Sequence, residues 1–164
     1  MTSFPSLPAR LSPPLSDREA INDAIYRAVI GLDTDDVDLF DSAFTDDGSF
    51  ELNGRVTKGR EAVHSQMFDF ISKLDTTHLI TNTRINVDEG GSTASATASA
   101  FAQHYRGGQG QDPAAPRFLS GGLYWLDLVK DEKEGLWRVK NWRLKSVWGE
   151  GDMGVMTRNQ ALES

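Results

Sequence analysis

Near residue 75 the hydrophobic pattern of this chain changes period from helical to strand-like, and it does not change back. In "SDREAINDAIYRAVIGLD", Ile21, Ala24, Ile25, Ala28, Val29 and Leu32 recur at helical spacing behind a Ser/Asp cap signal and Glu19. That spacing predicts an amphipathic first helix ending near Gly31–Asp33. A short second helix follows in "TDDVDLFDSAF", with Val37, Phe40 and Phe44 apolar. "DGSFELNG" then reads as turn, short strand and turn. The third helix is "KGREAVHSQMFDFISKLD", with Val63, Met67, Phe70, Ile71 and Leu74 on one stripe.

Beyond it, side chains alternate through four runs: 76–88, 92–106, 117–130 and 135–149. The turns "DEGGS" and "KDEKEG" and the loop "RGGQGQDPAAP" separate them. Helices first and long consecutive strands later define an α+β domain. Short turns let neighbouring strands pair antiparallel, and strands of this length must twist and curve. The expected architecture is a cone, with three N-terminal helices packed on a strongly curved, mostly antiparallel sheet around an internal pocket. Residues 1–15 form a flexible Pro-rich arm, 16–149 a single domain, and 150–164 a tail long enough to cover the pocket mouth. Met153, Val155 and Met156 would be its lid contacts.

Composition narrows the function classes. With 17 Lys and Arg against 24 Asp and Glu, the 164-residue chain has a formal net charge of −7. Nucleic acid and anionic membrane surfaces need clustered cations and are not expected partners. The acidic run from Asp33 to Asp47 reads mainly as a solvated helix and its preceding loop. Without cysteine there is no disulfide framework, zinc–thiolate site or thiol nucleophile. No apolar run is long enough to span a membrane, and the first residues lack the pattern of a secretory signal, so the expected address is the cytoplasm. No HExxH, P-loop or dinucleotide GxGxxG is present, and neither a metal nor a cofactor is expected.

Several polar residues fall on faces that a plain core would fill with apolar ones. Alternation puts His104 in line with Ala94, Ala96, Ala98, Ala100 and Ala102, a side with unusual room. Ser120, Gly122 and Tyr124 share a face with Phe118 and Leu126, and His78, Ile80, Asn82 and Arg84 share another unless a bulge resets the phase. Asp33, four residues after Val29, continues the buried stripe at the last turn of the first helix. A buried carboxylate needs a partner. An imidazole held by one gains basicity and a fixed tautomer, as a general base near neutral pH requires. Asp33 can pair with either His78 or His104. His64, off the apolar stripe of the third helix, reads as a rim residue.

On "AIYRAVIGLDTDDVDLFDSAFTDDGSFEL", "TTHLITNTRI", "AQHYRG", "LSGGLYW" and "LWRVKNWRLKSVWGEGDM", the chain resembles the SnoaL-like branch of the NTF2-like superfamily. Within that branch it looks most like scytalone dehydratase and its fungal relatives, over roughly residues 17–153. The resemblance implies that Asp33, His78 and His104 are catalytic and that Ser120 contacts substrate. It implies a cofactor-independent lyase, a dehydratase, acting on a small hydrophobic cyclic substrate of polyketide or terpenoid type. An isomerase or cyclase is the nearest alternative, and a non-catalytic binding module the alternative of another class. A homo-oligomer, dimer or trimer, is expected, with apolar residues of the last two strands at its interface. Leu32 and Leu52 stand where the family has two tyrosines that hold a carbonyl-polarising water, and Gly122 where it has Asn. A carbonyl donor must then come from elsewhere, with Asn82, Tyr26, Tyr105 and the Trp142 indole as candidates.

Overall fold

A computed structural model describes residues 6–157. The first helix, α1 (Asp17–Thr34), opens with a capping box in which the Ser16 hydroxyl accepts from the Glu19 amide and the Glu19 carboxylate accepts from the Ser16 amide. Its stripe of Ile21, Ala24, Ile25 and Ala28 is fully buried. Helix α2 (Val37–Ser42) crosses α1 so closely that a Cβ on Gly31 would lie 2.7 Å from the Phe40 amide nitrogen. Only glycine permits that approach.

The third helix, α3, runs from Arg60–Val63 through a π-helical turn, His64–Phe68, into Asp69–Ile71. The Asp69 amide donates to the His64 carbonyl five residues back. This wider turn brings Phe68 into the core beside Val63, both at 1% exposure. Ideal 3.6-residue periodicity does not give that placement.

Six strands form one curved, open sheet in the order β2-β1-β6-β5-β4-β3. They are β1 (Phe44–Leu52), β2 (Arg55–Lys58), β3 (Leu74–Val87), β4 (Thr93–Arg106), β5 (Arg117–Asp131) and β6 (Leu136–Gly151). All neighbours pair antiparallel except β1 with β6. Strand β2 was not anticipated. Asn53 and Gly54, both at positive φ (50° and 90°), turn β1 directly into it, as Asn-Gly does in two-residue hairpins.

The alanine face of β4 divides in two. Ala94, Ala96 and Ala98 pack in the core with α1, whereas Ala100 and Ala102 line a cavity. On the opposite face, Leu79, Leu123 and Trp125 are exposed; the expected oligomer would cover this surface. The last strand passes residue 149 to Gly151, and a 3₁₀ turn, Met153–Met156, folds back with Val155 buried. Of the expected arm, residues 6–15 carry neither helix nor strand, and the Arg10 guanidinium donates to the Glu134 carbonyl. Residues 1–5 of the arm and 158–164 of the tail lie outside the described residues.

One buried cation joins the two layers. Arg27, 3% exposed, donates from Nε to Asp23 at 3.0 Å and from Nη1 to the Ser42 carbonyl at 2.6 Å and hydroxyl at 2.8 Å. Its Nη2 donates to the Trp137 carbonyl on β6 at 2.5 Å. Removing the guanidinium strands a half-buried carboxylate and takes a donor from the Trp137 carbonyl, while the Ser42 carbonyl keeps Arg138 Nη1 at 2.7 Å. Arg27→Ala is expected to lower unfolding free energy by about 3–5 kcal/mol, measured by urea denaturation.

Candidate active site

Asp33 reaches the sheet from the last turn of α1. Its Oδ1 accepts from Thr76 Oγ1 at 2.7 Å and faces His78 Nδ1 at 2.6 Å, while its Oδ2 accepts from the His78 amide at 2.8 Å. Of the two pairings open in the sequence, the structure has Asp33 with His78. Burial by itself raises a carboxyl pKa. Here the His78 ring, its charge and amide, and the Thr76 hydroxyl outweigh burial and hold Asp33 below its ordinary range. An ionised Asp33 can only accept, so the His78 proton sits on Nδ1 and Nε2 carries the lone pair.

His104 is 3% exposed, and its ring lies 5.4 Å from that of His78 at 85°. Its Nδ1 donates to the Phe118 carbonyl at 3.2 Å, which fixes the same tautomer. Burial first, and the His78 charge second, push its pKa from 6.5 down to about 4, against the raising effects of the Phe118 carbonyl and Asp33. At neutral pH His104 is uncharged and its Nε2 accepts. The two imidazoles thus share a tautomer.

Both rings line a cavity of about 920 Å³. Its floor is small, made of Ala100, Ala102 and Gly122. Ser120 lines it in register with Ala102, which faces His78 across β3 and β4. Leu32 and Leu52 line it as well. So do Met153 and Met156, and Arg106 holds that turn in place by donating to the Gly154 carbonyl at 2.6 Å. Among the described residues, no group of three or more His, Asp or Glu is arranged to hold a metal.

Three of the four candidate carbonyl donors lie outside the cavity lining. Asn82 sits on a β3 bulge at φ 54°, where the register with β4 shifts, and its amide donates to Ser99 Oγ at 3.3 Å. The bulge resets the phase, so Asn82 leaves the His78 face. Tyr26 is 39% exposed, on the solvent side of α1. Tyr105 follows inward-facing His104, so alternation turns it to the outer face, where its hydroxyl accepts from Gln103 Nε2 at 2.8 Å. Trp142 does line the cavity, but its indole N–H is buried without a partner and the ring is packed edge to face on Tyr124.

Tyr124 was absent from the candidates, although alternation from Ser120 through Gly122 points to it. It is 6% exposed and lines the cavity. His64 sits at the helix rim with Nδ1 at 2.8 Å from Asp41 and Nε2 at 3.3 Å from Asp69.

A helix-capped, curved sheet with an Asp–His pair inside it defines an NTF2-like cone. Residues 13–143 match the family described as SnoaL-like domain, and the chain belongs to that family. It is 50% identical over 151 residues, 92% of this chain and 96% of the other, to terrestric acid biosynthesis cluster protein E of Penicillium crustosum. Its fold is similar to a Novosphingobium aromaticivorans protein described as a scytalone dehydratase, with TM-score 0.70, 19% identity, and coverage of 83% of this chain and 87% of that one. It is similar also to the LinA-type3 hexachlorocyclohexane dehydrochlorinase of Novosphingobium barchaimii, with TM-score 0.65, 17% identity, and coverage of 84% and 91%. At those identities the two structures bear on the fold alone. No helix among the described residues is long and apolar enough to cross a membrane.

The depressed His104 pKa has a thermodynamic consequence. Below pH 6.5 the unfolded chain takes up this proton, whereas the folded chain does so only near pH 4. Unfolding free energy therefore falls as pH drops through that window, by about 3 kcal/mol from this group. His104→Asn keeps a donor for the Phe118 carbonyl without a titrating ring. Urea midpoints at either end of the window should differ less in the variant than in the wild type.

Proposed function

We propose that the chain is a cofactor-independent lyase, a dehydratase, that takes a proton from a cyclic secondary-metabolite intermediate. The observation that carries this reading is the 2.6 Å contact between Asp33 and His78 Nδ1. It leaves an oriented, basic Nε2 at the wall of a largely apolar cavity. Such a site suits a small hydrophobic ring system bearing one activating group. The relative named for a biosynthetic cluster supports a place in secondary metabolism.

In the proposed reaction, His78 Nε2 removes the proton from the carbon beside the activating group, and the C–H pair is held as an enolate. That pair then forms the new carbon–carbon double bond as the C–O bond breaks, and the hydroxide leaves as water with the proton returned from His78. Asp33 orients His78 and stabilises its imidazolium. His104, uncharged at neutral pH, accepts a substrate hydroxyl proton in a hydrogen bond and relays it, and Ser120 anchors the ring. Isomerisation or cyclisation would begin with the same abstraction and lose no water.

The test uses the metabolite that accumulates when the protein is removed from its source. Purified protein given that metabolite should form a product lighter by one water. His78→Ala and Asp33→Asn should each lower turnover by about 10²–10⁴-fold. Asn at 33 keeps an acceptor for the His78 amide but removes the charge that stabilises the imidazolium. Folded variants with wild-type turnover would refute the assignment, and a product of unchanged mass would mark an isomerase or cyclase. Affinity without turnover would mark a binding module.

A further inference from the structure

Tyr124 is a cavity-lining polar residue that this chemistry leaves unused. It faces inward from β5, in register with Ala98 on one side and Leu144 on the other. Its ring is fixed edge to face on Trp142, with centroids 4.9 Å apart at 74°. The ring lines the cavity and is 6% exposed, yet its hydroxyl has no hydrogen-bond partner among the described residues. A phenylalanine would fill the same space without burying an unsatisfied oxygen. Burial, and secondarily the negative charge of Asp33, raise the phenol pKa, so the group stays protonated and is a donor. Tyr124 and His78 line the same cavity.

The floor between the two ends is bare. Ser120 and Tyr124 are four residues apart on one strand face, roughly 13 Å of backbone. Between them lies Gly122, in register with Ala100. A Cβ on Gly122 would meet Leu144 Cδ1 at 2.6 Å, so a side chain there is disfavoured. A flat ring system can rest on this surface with a carbonyl turned toward the phenol and the adjacent C–H toward the imidazoles.

We propose that Tyr124 Oη is the hydrogen-bond donor to the carbonyl oxygen of a flat cyclic ketone or enone substrate. This rests on the proton-abstraction reading above. When His78 Nε2 takes the neighbouring proton, the C–H pair becomes the enolate double bond and the carbonyl π pair moves onto oxygen. Tyr124 keeps its own proton and strengthens its hydrogen bond as that charge develops, the condition under which a donor lowers a barrier.

The experiment uses β-tetralone, whose protons beside the carbonyl exchange in D₂O, and β-naphthol, a stable enol analogue. Deuterium uptake near neutral pD is followed by mass spectrometry, β-naphthol affinity by calorimetry, and folding by melting temperature. Wild type should exceed buffer. Tyr124→Phe should slow exchange by about 10²-fold and weaken β-naphthol by about tenfold, with melting temperature unchanged or raised. Exchange at the wild-type rate in Tyr124→Phe, with His78→Ala inactive, overturns the donor role and leaves the base intact. Lower melting temperature and slower exchange with unchanged β-naphthol affinity assign the hydroxyl to packing and overturn it as well. If wild type does not exceed buffer, the proton-abstraction reading falls and takes this inference with it.

Discussion

The Asp33 carboxylate fastens the end of the helical layer to the free edge of the sheet. Strand β3 is the terminal strand, so one side of its backbone has no neighbouring strand. On that side the His78 amide donates to Asp33, as does the Thr76 hydroxyl. Hydrogen bonds to a charged acceptor contribute about 1.5–3 kcal/mol each, enough to offset burial of the carboxylate. They also satisfy a position on an edge that is otherwise open to pairing with another chain. Cavity and base share this origin: the residue that docks α1 also fixes the imidazole.

Cavity volume follows from which small residues pack on the helix and which do not. Ala94, Ala96 and Ala98 bring the sheet close to the stripe of α1, and the core closes there. Further along β4, Ala100 and Ala102 line the cavity opposite Ala28, Val29 and Leu32 of α1. The same residue type therefore serves close packing at one end of a strand and a substrate-sized void at the other. Met153 and Met156 add flexible apolar side chains to the cavity lining.

Much of this was legible because periodicity is a local property. The capping box, the stripe of α1 and the four long strands follow from spacing alone, and so does Asp33 as an inward residue. The features that escaped depend on departures from ideal periods. The π-helical turn adds a residue to α3 and moves Phe68 into the core. The β3 bulge adds a residue beyond Thr81 and takes Asn82 off the His78 face. The Asn53-Gly54 hairpin signal was present in the sequence, and β2 followed from it. Which histidine meets Asp33 was not a local question. It depends on β3 being the edge strand over which α1 ends, and strand order is not written in alternation.

The two imidazoles show how position divides labour between identical side chains. Each gives its Nδ1 proton to the protein and presents Nε2, but one acceptor is a carboxylate and the other a carbonyl. A carboxylate stabilises an imidazolium by its full charge, a carbonyl by a dipole alone. Burial is more severe for His104, at 3% exposure, and the neighbouring His78 charge opposes its ionisation. If both rings were protonated they would be two cations 5.4 Å apart in a poorly solvated cavity. These effects keep His104 uncharged at neutral pH and leave its Nε2 an acceptor beside the His78 ring.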